Sequence, residues 1–175
     1  MSVVLDEMKT RRSIRKFKPD MIPADVLDQI IEAGTFAANG RGLQSPIIIA
    51  VTNKEMRDKI MEMNRKIGDW EEGFDPFYGA PVILIVLADA SCPTAVYDGS
   101  LTMGNLMLAA HDLGIGSCWI HRAKEEFESE EGKQILESLG ITDEYIGVGH
   151  CALGFTDGAY PDVIPRKDNR VYYIR

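Results

Sequence analysis

Between Tyr97 and Ile120 the chain reads YDGSLTMGNLMLAAHDLGIGSCWI, and the changes of pattern inside this stretch decide the fold. From Tyr97 to Leu113 the spacing predicts a helix, but Leu101, Met103, Leu106, Met107 and Leu108 surround its axis. A helix apolar nearly all round must be buried. Gly99, Gly104, Ala109 and Ala110 leave room for another backbone to approach. Two sources of burial are open, a second copy of the chain or an intramolecular core. Gly114 and Gly116 then end the helical pattern, and an apolar, strand-like run leads to His121 and Arg122. After such a turn, backbone amides can point at a ring nitrogen or carbonyl. The plainer reading is a glycine helix stop with Trp119 in the core.

The neighbouring segments supply the layers. DEMKTRRSIRKF holds a short helix ending near Thr10, and Pro19 and Pro23 then break the chain. PADVLDQIIEAGTFA is an amphipathic helix, with Val26, Leu27, Ile30, Ile31 and Gly34 at helical spacing. SPIIIAVTN and APVILIVLADA are β-branched runs of the kind that are covered on both faces. KEMRDKIMEMNRKIGDW between them is helical, and EEGFDPFYGAP is a loop with three aromatics. KEEFESEEGKQILESLG reads as one acidic helix closed by Gly140, and YIGVGHCALGF as a further strand. No repeat, low-complexity tract or linker divides the chain, and residues 1–175 read as a single domain.

At 175 residues and 45% hydrophobic content the chain is long enough to bury a proper core. It has no basic leader and no apolar run of membrane-spanning length, so it is expected to be soluble and cytoplasmic. Cys92, Cys118 and Cys151 are odd in number and widely spaced, which suits reduced thiols. They and His111, His121 and His150 lack the paired spacing of a zinc site. His150 and Cys151 are adjacent on a strand and so point to opposite faces. With 27 acidic against 19 basic residues and a net charge of -8, the chain does not suit general nucleic-acid binding, which depends on a broad basic surface.

Against that background, KTRRSIRKFKPD at Lys9–Asp20 concentrates positive charge, and PRKDNR brings a second cluster, Arg166, Lys167 and Arg170, near the end. A ligand phosphate is held well by guanidinium forks with a hydroxyl or ammonium beside them. Arg11, Arg12, Ser13 and Arg15 offer one side of such a clamp and Arg166, Lys167 and Arg170 the other. The alternative is two solvated charge runs. In FAANGRGLQSP, Asn39 and Gln44 supply both donors and acceptors for a ring edge, and Gly40 and Gly42 allow backbone close to a flat ligand. Any helix-to-strand connection can share that composition.

Together these stretches resemble the nitroreductase family of FMN-dependent oxidoreductases. RRSIRKF, Arg11–Phe17, is similar to the family's opening motif. AANGRGLQSP is similar to its P-S-x-x-N-x-Q-P-W loop, with Ala38 in place of Pro, Asn39 of Ser, Gly42 of Asn, and Ser45 and Pro46 of Pro-Trp. NLMLAAHDLGIGSCWI, ALGF and PRKDNRV match later landmarks in order.

The resemblance implies an α+β nitroreductase fold, a central mixed sheet flanked by helices, in an intertwined homodimer with two FMN sites at the interface. It implies that Arg11, Arg12, Ser13, Arg15, Arg166 and Lys167 grip the FMN phosphate. Asn39, Gly40 and Gln44 would come from the other subunit to the isoalloxazine and ribityl groups, and the backbone at His121 and Arg122 would lie beside flavin N5 and O4. The activity implied is ping-pong transfer of hydride from NADH or NADPH through FMN to a nitroaromatic, quinone or similar flat acceptor. No catalytic side chain is assigned; His121 is the one weighed as a proton donor. Two other functions are open: a flavin-binding or sensing protein without nicotinamide turnover, and a non-flavin anion-binding interaction module.

Overall fold

Even and odd positions of VILIVLAD serve two different layers. In the computed structural model, which describes residues 2–175, this run is strand β2 (Val82–Asp89), fully buried from Val82 to Ala88. Ile83, Ile85 and Leu87 enter one hydrophobic cluster; Val82, Leu84, Val86 and Ala88 enter the other. That division follows from the two-residue repeat of a strand. Leu84→Ala should therefore cost about 2–5 kcal/mol through lost burial and the cavity left behind.

The sheet has the order β1 (Pro46–Val51), β2, β4 (Tyr145–Gly154), β3 (Gly116–Ile120). Every ladder in it is antiparallel, which corrects the expected mixed sheet. The connection from β1 to β2 returns to the end of the sheet that it left, since Val51 pairs with Ile83 and Pro46 with Ala88. β2 and β3 run parallel across the helix between them, but β4 inserts antiparallel to both. A lone parallel bridge joins Ser13 to Ser117.

One face of the sheet carries α2 (Ala24–Thr35) and α4 (Ala95–Asp112), and the other carries α3 (Lys54–Ile67), α5 (Ala123–Glu128) and α6 (Glu130–Ser138). The short α1 (Val3–Thr10) lies against α4. β1 departs from the reading of two covered faces: it is an edge strand, half-buried from Pro46 to Ile49 and exposed at Ala50. The acidic segment is two helices rather than one. Ser129 leaves the helical conformation at φ -73, ψ 157, and its hydroxyl caps the second helix by accepting from the Gly132 N–H at 3.1 Å.

α4 is buried on one side only. Met103, Leu106 and Ala110 are inaccessible, and at Gly99 an added Cβ would meet the Val148 side chain at 2.5 Å, so this helix sits closer to β4 than any larger residue allows. Tyr97 and Leu101 are exposed, and an added Cβ at Gly104 would meet nothing. Within the chain, the apolar far side of α4 is open.

Candidate functional site

The front basic segment is fixed by its apolar members. Ile14 and Phe17 are buried, the Ile14 N–H donates to Ser117 O at 2.9 Å, and the Lys18 N–H donates to Phe155 O at 2.8 Å. These contacts stitch the strand-like segment beside β3 and leave the intervening charges on its outer side. The tail returns to the same place. Arg11, Arg12, Ser13, Arg15 and Arg166 line one cavity of ≈ 510 Å³, with Asp162, Val163 and Ile164. Two ends of the chain, far apart in sequence, thus supply one basic surface.

In its walls the Nη1 of Arg11 and the Nε of Arg12 are buried with no hydrogen-bond partner among the described residues. Arg12 spends its Nη1 on Lys9 O at 2.7 Å and Arg11 O at 2.6 Å. A buried charged donor without an acceptor is costly, and an anion in the cavity would relieve it. Arg166 folds its Nε and Nη2 onto Ile164 O, at 3.1 and 2.5 Å. Lys167 and Arg170 are exposed and do not line the cavity.

His111, assigned no role from sequence, fastens the tail. Its Nε2 lies 2.9 Å from Thr10 Oγ1 and 3.2 Å from Glu7 Oε2, and its Nδ1 lies 3.2 Å from the Tyr160 hydroxyl, whose ring stacks on the imidazole. The Thr10 hydroxyl already donates to Asp6 O, so Thr10 accepts from Nε2–H. Nδ1 is then the acceptor for the Tyr160 O–H, and the phenol oxygen accepts the Arg12 N–H at 3.0 Å. One continuous hydrogen-bond path therefore ties α1, α4, the tail and the cavity.

The loop Asn39–Gln44 is built separately. Asp98 on α4 accepts the Gly40 N–H at 2.9 Å through Oδ1, and the hydroxyls of Ser45 at 3.0 Å and Thr94 at 2.9 Å through Oδ2. Burial pushes the Asp98 carboxyl up, but the Thr94 hydroxyl, the Gly40 N–H and the Ser45 hydroxyl together hold it below the usual carboxylate range. Gly40 is required by this approach, since a Cβ there would meet Thr94 Oγ1 at 2.3 Å. Asn39 braces the loop: its Oδ1 accepts the Gln44 N–H at 2.8 Å, and its Nδ2 donates to Ala37 O at 3.2 Å. Arg41, Gly42 and Gln44 all have positive φ. None of this loop lines the basic cavity of its own chain.

At the far end of β3, His121 is exposed and Arg122 turns the chain with φ 80. The Arg122 guanidinium lies over the Trp70 ring, 4.3 Å from its centroid. Beneath the turn lies a network that sequence reasoning missed. Asn64 Nδ2 donates to His121 O at 2.9 Å and to Glu126 Oε1, while Glu126 Oε2 lies 2.7 Å from His150 Nε2. Asn64, Glu126 and His150 are completely buried. Glu126 stands beside Phe127 and one turn after Ala123, both core residues, and this helical phase was its one legible signal. His150 and Cys151 do face opposite layers: His150 packs its ring 5.2 Å from Phe77, and Cys151 enters the other cluster.

The family model described as "Nitroreductase family" matches residues 8–155. A curated protein of Methanothermobacter thermautotrophicus, provisionally named NADH dehydrogenase/NAD(P)H nitroreductase, is 34% identical over 125 residues, 66% of this chain and 59% of that one. The match thus spans about three fifths of that relative's length. A crystal structure of a nitroreductase with bound FMN from Bacteroides fragilis superposes with a TM-score of 0.89 at 29% identity, covering all of both chains. Another, from Desulfitobacterium hafniense and also with bound FMN, gives 0.88 at 26% identity over 99% of each chain.

Proposed function

Because the chain belongs to the nitroreductase family, we propose that it is an FMN-dependent NAD(P)H oxidoreductase whose FMN phosphate is held in the cavity between its two ends. The observation that carries this reading is that Arg11, Arg12, Ser13 and Arg15 from the front and Arg166 from the tail line one cavity, with a guanidinium nitrogen of Arg11 and one of Arg12 buried without a partner among the described residues. They suit a phosphate: Arg11, Arg12 and Arg15 offer charge-assisted donors, Ser13 a hydroxyl, and Arg166 closes the site from the tail. Lys167, exposed and outside the lining, follows Arg166 in the chain and adds positive charge to the tail. The FMN-bound relatives support the same cofactor.

When bound, FMN supplies the redox chemistry, taking hydride from NADH or NADPH and then reducing a nitroaromatic, quinone or similar flat acceptor in a ping-pong cycle. The protein's part is position and electrostatics. The front segment and tail hold the phosphate. The turn at His121 and Arg122 offers backbone to the ring edge, and Asn39, Gly40 and Gln44 approach from a partner subunit.

The surfaces left open support a homodimer. The far side of α4, with Tyr97 and Leu101, is apolar and exposed, as are Val3, Val4 and Leu5 on α1 and Val171, Tyr172, Tyr173 and Ile174 in the tail. Exposure on this scale marks an interaction surface. We read residues 1–175 as one domain, working in the cytoplasm without nucleic-acid partners; among the described residues no helix is long and apolar enough to cross a membrane.

Anaerobic addition of NADH or NADPH to the FMN-loaded protein should bleach the flavin absorbance, and a quinone or nitroaromatic should restore it. A loaded flavin that neither nucleotide bleaches would leave a flavin-binding protein without turnover.

A further inference from the structure

A carboxylate and an imidazole without any solvent exposure are an expensive way to fill a core. Glu126 and His150 are each completely buried, 2.7 Å apart, and such a pair seldom stabilises a fold more than well-packed apolar residues would. Asn64 joins them and leaves its own Oδ1 without a partner among the described residues, as His150 leaves its Nδ1. Among the described residues the Glu126 N–H donates to Arg122 O at 3.1 Å, and the side-chain bond from this network to the backbone of the β3 exit is that from Asn64 Nδ2 to His121 O.

That bond fixes one peptide plane. The unit joining His121 to Arg122 is planar and trans, so its carbonyl and the Arg122 N–H point in opposite directions. With the carbonyl drawn into the core by Asn64, the N–H is aimed outward. It donates to no atom among the described residues. Arg122 holds this arrangement in the left-handed region, at φ 80, where a residue with a Cβ is disfavoured. A strained turn, an outward free donor and a buried polar brace behind it converge on one peptide.

We infer that Asn64, Glu126 and His150 are positioning residues that aim the Arg122 N–H at an acceptor atom on the edge of the bound ring. Glu126 holds Asn64 by accepting one of its amide hydrogens, His150 holds Glu126, and Asn64 uses its other amide hydrogen to anchor the His121 carbonyl. A donor fixed in this way needs no reorganisation when negative charge gathers on its acceptor. The inference rests on the flavin reading for the identity of that ring; the aimed N–H itself is a property of this chain.

The test is residue-resolved amide exchange of the nitrogen-15-labelled protein, alone and with FMN, beside flavin titrations. In the parent, FMN should slow exchange at the Arg122 amide by about tenfold or more, the size of one added hydrogen bond. Asn64→Leu should abolish that protection, shift the bound flavin spectrum, lower kcat by about tenfold or more, and weaken FMN and riboflavin by the same factor of about three- to tenfold, because one bond to the ring is lost and the phosphate cavity is untouched. Glu126→Gln, whose amide can still bond Asn64 and His150, should retain the protection and the spectrum. A parent that binds FMN without protecting the Arg122 amide overturns the inference and leaves the flavin reading standing. A parent that binds no FMN overturns the flavin reading, and the assigned acceptor with it. An unprotected Arg122 amide in the parent overturns the inference even if Asn64→Leu fails to fold.

Discussion

Asp98 and His111 stand on the same helix, roughly 20 Å apart along α4 at 1.5 Å per residue, and each fastens a different part of the proposed site. Asp98 holds the Asn39–Gln44 loop and His111 holds the tail beside the basic cavity. Their separation keeps the loop away from the cavity of its own chain. In the proposed homodimer it is the partner's loop that would approach the bound ring.

Tyr160→Phe keeps the stacked ring but removes the hydroxyl that joins Arg12 to His111. The tail bearing Arg166 should loosen, with FMN dissociating faster and binding about three- to tenfold more weakly, the worth of one ordinary hydrogen bond. Stopped-flow flavin release measures it. A release rate equal to the parent's would show that the clasp does not govern the cavity.

Asp98 gives a pH dependence of known sign. Its folded carboxyl ionises below the usual range, so the stability it contributes is fully present above the unfolded value of about 3.9 and is lost as pH falls through the lower folded value. Asp98→Asn should melt below the parent at pH 7, and the difference should shrink as pH drops below about 4. Thermal melts across that range test this; a difference that stays constant in acid would remove Asp98 from the account.

Gly104 separates assembly from folding. Apart from the helix's own neighbouring backbone, no atom of the described residues lies within 4 Å of a Cβ built there, so Gly104→Phe should leave the isolated chain folded and disrupt only a dimer packed on α4. Sedimentation of the parent should give a dimer at micromolar concentration, with an interface of about 2,000 Å² or more. The variant should shift towards monomer and lose flavin. A variant as dimeric as its parent places the interface elsewhere.

In the loop, Gly42 has φ +69 and open space around it, a conformation Asn tolerates better than other side chains. Gly42→Asn should keep or improve FMN binding. Asn39→Ala removes both braces, to the Gln44 N–H and to Ala37 O, and should weaken FMN by about tenfold. If flavin titrations of both match the parent, the loop is scaffold and takes no part in binding.

The seating of the front basic segment was legible because Ile14 and Phe17, buried residues, alternate with the charges in one short stretch. β2 was legible because both its faces are apolar; for α4 the sequence left two sources of burial open, and the chain itself covers one side only. The anchors were not. Asp98 meets Gly40 from 58 positions away and His111 meets Thr10 from 101, so neither residue shows its role in its own neighbourhood. Ser129 reads as an ordinary member of an acidic helix until its hydroxyl turns back to Gly132. The antiparallel sheet was hidden for a similar reason, since nothing local to β4 says that it inserts between β2 and β3.

The central claim is that the two ends of the chain form a phosphate clamp for FMN, and a paired flavin titration tests it most directly. FMN should bind, with the change in flavin absorbance saturating at one per chain, while riboflavin, which lacks only the phosphate, should bind about 100-fold or more weakly, as expected for several charge-assisted bonds lost. Arg11→Ala should weaken FMN by about tenfold or more and leave riboflavin unchanged. Equal affinity for FMN and riboflavin, or an Arg11→Ala variant that binds FMN like its parent, would contradict the account.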